Sequence, residues 1–267
     1  MAKQFLILTE GAKTEQNILK SVFEKYGFNV IRQEAVQIHK ELDNLEFDLT
    51  RLVDDKINIL IAQGPKNRIS EFINMFDNQS EDVERYFDFW SENFAGIFLI
   101  YDVDHTSKDA LENMFVKFQN ETESGLLLLS SPCIEILSEP NRIKELSVEH
   151  LKEYKTERKA WVQEKTSNSV ENYIINNFED LVIQFLKQNC IESGNYNVME
   201  HPQFVLQKIN LLNERTYIND DLQPVLYRYF TTTIYVCVAY ILGLTKEIDN
   251  GKIVEDFFLN HKNNSKI

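Results

Sequence analysis

Short apolar runs alternate with stretches of helical period through the first half of the chain. Phe5-Leu6-Ile7-Leu8 reads as a strand over 5–9. Its apolar residues are consecutive, not alternating, as in a strand covered on both faces. A helix is expected over 14–26: Ile18, Leu19, Val22 and Phe23 share one face, and Gly27 stops it. Further strands are expected over 28–32, 57–62, 97–101 and 126–129, and helices over 41–55, 68–76 and 108–118. The acidic segment 81–92 carries Tyr86, Phe87, Phe89 and Trp90 and reads as an amphipathic helix; exposed, it would offer a partner surface. Strands alternating with helices imply right-handed crossovers and a mainly parallel sheet flanked by helices.

After Pro140 the pattern changes. No buried strand is evident, and helical stretches read over 143–166, 170–189, 202–213, 222–244 and 248–261. The expectation is an α/β domain over 1–140 and an all-helical domain over 141–267, with a polar tail that frays. The longest apolar tract, 229–244, falls short of the roughly 20 residues of a membrane span and reads as a buried helix.

Composition narrows the class. With 267 residues, 43% hydrophobic and 12% aromatic, the chain has the material for a packed core and not for wholesale disorder. Cys133, Cys190 and Cys237 are odd in number and widely spaced, which argues against a disulfide framework or structural zinc. They fit buried apolar positions in a reducing cytoplasm. Glu10 interrupts the first apolar stretch, so it does not read as a signal peptide. The net charge of −14 argues against a protein that coats nucleic acid through a basic surface. A local groove served by metal ions and a few cations stays open.

Two acidic stations carry the candidate chemistry. Glu10-Gly11 follows the first strand, and Asp102-Val103-Asp104 follows the strand over 97–101. Ligands bind at the carboxyl ends of strands in open α/β sheets. Carboxylates gathered there repel one another unless a cation lies between them, which suggests Mg²⁺ or Mn²⁺. Asp102 and Asp104 alternate along an extended segment and can share a face. Two close cations would activate a water and stabilise the leaving oxygen of a phosphodiester. Lys13 opens the next helix, where phosphate is favoured. The plainer reading of both stations is a solvated turn after a strand.

The order of these stations resembles the Toprim domain shared by topoisomerases, primases and several nucleases, and within it the RloB-like branch. That branch opens with an apolar strand, Glu-Gly and a Lys-Thr-Glu-like continuation, here Glu10-Gly11-Ala12-Lys13-Thr14-Glu15. It later carries a signature similar to Ser131-Pro132-Cys133-Ile134-Glu135. The resemblance covers residues 1–140. It implies a metal-dependent nuclease acting on DNA or RNA, an effector in bacterial anti-phage defence, often encoded beside an ATPase partner. It assigns metal binding to Glu10, Asp102 and Asp104, and makes Glu135 a further acidic candidate. The chain departs from the family after Glu135, where Ile136-Leu137-Ser138-Glu139-Pro140 replaces an aromatic, tryptophan-rich stretch.

Other residues have competing readings. Glu135 also suits the first turn of a helix with Ser131 as N-cap and Pro132 after it. His105 could orient a carboxylate or simply face solvent. Lys155, Arg158 and Lys159, with Trp161, could hold a nucleic-acid backbone and stack a base; Glu153, Glu157 and Glu164 make an ion-paired helix the plainer reading. Ile100-Tyr101-Asp102-Val103-Asp104-His105-Thr106 also resembles the signature of haloacid-dehalogenase-like phosphatases, with Asp102 as nucleophile. That signature usually opens its fold, and here an α/β stretch precedes it. The acidity and the unplaced helical half leave a third alternative, a non-catalytic regulator that binds a partner. The aromatic helical half is also compatible with a homo-oligomer.

Overall fold

The consecutive apolar runs become the central strands of one sheet. The computed structural model describes residues 4–11, 13–33, 51–54, 56–63, 94–102, 114, 116, 118–123, 125–131, 134, 151–166, 168–178, 180–181, 231–232, 238 and 241. In β1 (Gln4–Thr9), β3 (Asn58–Gln63) and β4 (Gly96–Asp102), the side chains of Phe5, Ile7, Ile59, Ile61, Ile97 and Phe98 are fully buried. Both faces of these strands are covered, which explains why their sequences do not alternate.

β1 pairs in parallel with β3 on one side and β4 on the other, and β2 (Asn29–Gln33) pairs in parallel with β3. The sheet order is β2-β3-β1-β4-β6-β5, where β5 is Gln119–Asn120 and β6 is Gly125–Ser131. β5 and β6 are antiparallel. The fold is therefore α/β with a mostly parallel sheet, as its sequence pattern predicts. The chain divides into two compact units, Met1–Leu128 and Leu129–Ile267, so the division falls within β6. The boundary expected near residue 140 lies outside the described residues.

Helix α1 (Thr14–Lys25) buries Ile18, Leu19, Val22 and Phe23, the expected face, and packs on β2 and β3. Gly27 ends it with φ at 83°. The Gly27 N–H donates to the Glu24 carbonyl at 3.0 Å and the Phe28 N–H to the Phe23 carbonyl at 3.2 Å. These are the paired bonds of a Schellman cap, and the Phe23 and Phe28 rings add its apolar contact at 5.4 Å.

Several elements differ from expectation. Residues 52–54 are not helical, so the helix expected over 41–55 does not reach them. Asn58 captures that backbone instead: its Oδ1 accepts the Val53 N–H and its Nδ2 donates to the Val53 carbonyl, both at 3.1 Å. The β5 pairing was not legible because two residues carry no periodicity. The second unit is not wholly helical. Thr231–Thr232 form β7, antiparallel to Ser130 and Ser131 at the end of β6, inside the helix expected over 222–244. Adjacent β-branched threonines favour the extended chain once a strand edge is available. Val238 and Ile241 are helical and buried, in keeping with the remainder of that expectation.

In the second unit, α2 (Leu151–Thr166) and α3 (Val170–Asn176) fall inside expected helices. Ser169 caps α3 by accepting the Asn172 N–H at 3.2 Å. The segments expected as helices over 68–76, 81–92, 202–213 and 248–261 lie outside the described residues, as does most of 108–118. Among the described residues, no helix is long and apolar enough to cross a membrane.

Candidate functional site

Sheet order brings the two acidic stations together. β1 and β4 are neighbours, with Thr9 opposite Ile100. The strand after β1 lies beyond β3, whereas the strands after β4 lie on its far side. The chain thus leaves the two strands in opposite directions along the sheet. This is the switch point at which open α/β sheets hold ligands, and Glu10 and Asp102 stand at its carboxyl edge.

The ladder changes character there. The Glu10 N–H donates to the Ile100 carbonyl at 3.0 Å, the last main-chain rung between β1 and β4. Continuing the parallel pattern would bring the Asp102 N–H to the Glu10 carbonyl. It goes instead to Glu10 Oε2, at 2.9 Å. The Glu10 carbonyl accepts from Gln63 Nε2 on β3 at 3.2 Å. A side-chain carboxylate replaces a main-chain acceptor, so β1 can turn away while its carboxylate stays on β4. Glu10 is partly exposed and Asp102 is 8% exposed.

The turn itself is crowded by a third acid. Glu15, in the first turn of α1, is buried against Gly11. A Cβ on Gly11 would come within 2.7 Å of Glu15 Cδ and 2.8 Å of its Oε1. The close approach that a glycine permits is used here by Glu15. Behind the turn, Thr9 Oγ1 donates to the Gly11 carbonyl at 2.8 Å and accepts from Gln16 Nε2 at 3.1 Å. Gln16 Oε1 in turn accepts from Arg32 Nε at 3.1 Å.

Tyr101 lies between the two strands' last rungs. It is 1% exposed, and among the described residues its hydroxyl has no hydrogen-bond partner. Burial pushes that hydroxyl well above the usual phenol range, and the Glu10 charge pushes it further.

Lys13 stands at the N-cap position of α1, exposed and without a side-chain capping bond. Lys155, Arg158 and Lys159 all fall on α2, and the Lys159 side chain is exposed. The side chains of Lys155 and Arg158 lie outside the described residues. Trp161 is 42% exposed and Val162 is buried beside it. Asp104, His105 and Glu135 lie outside the described residues; Ser131 ends β6 and Ile134 is buried in 3₁₀ conformation. Among the described residues, no three His, Cys, Asp or Glu side chains gather closely enough to hold a metal ion. Glu10 and Asp102 supply two carboxylates at one edge, hard oxygen donors of the kind Mg²⁺ and Mn²⁺ take.

The sequence motif includes Glu15 without a packing role for it, and Gln16 and Arg32 are not singled out by the motifs. The signal was there for the first two: they sit on the buried stripe of α1, one turn before Ile18 and Leu19. A polar residue on a buried stripe must find a partner. Comparison with protein-family models, curated proteins and solved structures finds no match to this chain.

Proposed function

We propose that this protein is a divalent-metal-dependent nuclease whose centre is built on Glu10 and Asp102. The observation that carries the reading is the Glu10 carboxylate held against the Asp102 backbone at the switch point, 2.9 Å from the amide nitrogen. Mg²⁺ commonly keeps several waters and binds through one or two protein carboxylates plus substrate phosphates, so this pair is a sufficient protein nucleus. The resemblance of the Glu-Gly and Asp-x-Asp stations to the RloB-like Toprim branch points the same way and adds Asp104 as a further ligand.

The roles proposed are these. Glu10 locks onto β4 through Oε2, and its carboxylate would supply one ligand to the cation. Asp102 supplies the second carboxylate. Lys13, at the exposed start of α1, is the proposed contact to a phosphate oxygen. Glu135 is the auxiliary acid or proton acceptor. Lys155, Arg158 and Lys159 are the proposed contacts to the nucleic-acid backbone. A divalent ion bound at the carboxylates would neutralise charge on the scissile phosphate and activate a water for attack. The wider setting proposed is anti-phage defence, with an ATPase as the partner that controls cleavage.

The test is hydrolysis of labelled DNA and tRNA with Mn²⁺ by the native protein and by Glu10→Gln. The proposal expects cleavage of at least one substrate, lost in the variant. Equal cleavage by both proteins, or none on any substrate, sinks it.

A further inference from the structure

The turn that carries Glu10 is tied to the rest of the fold by a directional relay of hydrogen bonds. Arg32, on β2, can only donate, and its Nε–H reaches Gln16 Oε1. A second arm of the same guanidinium, Nη1, donates to Asn17 Oδ1. With Oε1 fixed as acceptor, the Gln16 amide must present Nε2 as donor, and Thr9 Oγ1 receives it. The Thr9 hydroxyl proton is then left to point onward. Its near acceptor is the Gly11 carbonyl at 2.8 Å; the Ala62 carbonyl lies at 3.4 Å. Thr9 and Gln16 are 0% and 2% exposed, so water is a poor substitute for either partner.

This relay brackets Glu10 in the chain. Thr9 precedes it, and the carbonyl that Thr9 holds follows it. The main chain of Glu10 is fixed by Ile100 and Gln63. Together with those two bonds, the hold on Thr9 and on the Gly11 carbonyl restrains the backbone rotation at Glu10 from which its carboxylate departs. Linked bonds polarise one another in a buried setting, so the relay acts as a unit.

We propose that the Thr9–Gln16–Arg32 relay is the positioning device that aims the Glu10 carboxylate at β4. Its consequence for metal affinity rests on the nuclease reading; its control of the carboxylate does not. Thr9, Gln16 and Arg32 are positioning residues that act through Glu10.

Amide exchange of the metal-free protein reads the aim directly, because the Asp102 N–H is bound by Glu10. The Ile97 N–H, bonded to the Glu121 carbonyl at 2.7 Å, reports β4 independently. Thr9→Val removes the hydroxyl at nearly equal size, and Thr9→Ser restores it. The Asp102 amide should exchange about tenfold faster in Thr9→Val and within about twofold of native in Thr9→Ser, a factor of ten matching one modest hydrogen bond. Ile97 should stay protected in both. Gln16→Glu guards against a variant that fails to fold: it gains an ion pair with Arg32 but cannot donate to Thr9, so the hydroxyl proton turns toward it and leaves Gly11. It should also speed Asp102 exchange. Native-like Asp102 exchange in folded Thr9→Val or Gln16→Glu overturns the proposal.

Calorimetry with Mn²⁺ separates the two ideas. Thr9→Val should bind about tenfold more weakly, the usual cost of losing support behind a ligand. Native uptake of Mn²⁺ with no loss in Thr9→Val rejects the relay's role in affinity and leaves the nuclease reading standing. Absence of Mn²⁺ uptake by the native protein rejects the nuclease reading, while the exchange result still decides whether the relay aims Glu10.

Discussion

Glu10 and Asp102 are joined by a bond in which a carboxylate does the work of a main-chain carbonyl. Glu10 Oε2 takes the Asp102 N–H at the point where β1 leaves β4. The two residues are far apart in the chain, and the neighbouring placement of β1 and β4 unites them.

That bond separates two substitutions at one position. Glu10→Gln keeps an oxygen that can accept from Asp102, so its stability should stay within about 1 kcal/mol of native while Mn²⁺ uptake falls away. Glu10→Ala leaves the Asp102 N–H without that acceptor and should cost about 1–3 kcal/mol. Urea unfolding of both, with EDTA present, checks the ordering. Equal stability of the two variants would mean that the rung contributes nothing.

At the opposite end of β3, Asn58 serves the fold alone. It is fully buried, accepts from Asn29 Nδ2 at 2.6 Å and from the Val53 N–H, and donates to the Val53 and Lys56 carbonyls. Asn58→Ala should destabilise by about 2–4 kcal/mol, since several buried partners lose their bonds together. Metal uptake by the folded fraction should be unchanged, as calorimetry below the unfolding midpoint would show.

Legibility in the sequence followed the range of the interaction. The central strands could be read because both faces are buried and every position is apolar, as in Phe5-Leu6-Ile7-Leu8. The end of α1 could be read because a residue at positive φ must be Gly27 or a near substitute. Glu10 and Asp102 could be singled out, since each follows such a strand. Their mutual bond could not, because it depends on strand order, and order is a long-range property. β5 and β7 escaped for a different reason: two-residue strands are created by the partner edge and leave no period of their own. The break at Leu52 and Val53 is likewise the work of a distant side chain, Asn58.

Two glycines should respond very differently to alanine. Gly27 has φ at 83° and open space where a Cβ would stand, so only backbone strain is incurred. Gly27→Ala should cost about 1 kcal/mol, and Gly27→Asn less, because asparagine tolerates this conformation. Gly125 combines φ at 101° with Leu99 Cδ1 only 2.6 Å from the Cβ position. Gly125→Ala should therefore cost more, about 2–4 kcal/mol, from strain and overpacking together. Thermal unfolding of the pair tests the ranking, and a smaller loss at Gly125 would contradict it.

Tyr101 supplies a pH-dependent prediction. Its hydroxyl is buried with no partner among the described residues, a state that costs free energy, so Tyr101→Phe should stabilise the metal-free protein by about 1–2 kcal/mol at neutral pH. Its raised pKa means the folded protein keeps the phenolic proton after the unfolded chain has released its own. With fewer protons bound in the unfolded state, stability must fall as pH rises above the ordinary tyrosine value of about 10. Below that value both states hold the proton and the group contributes no slope. The native protein should thus lose up to about 1.4 kcal/mol per pH unit more than Tyr101→Phe above pH 10. Urea unfolding of both proteins between neutral pH and about pH 11 measures the difference directly. Parallel pH profiles would show that the Tyr101 hydroxyl reaches solvent or a partner in the folded protein.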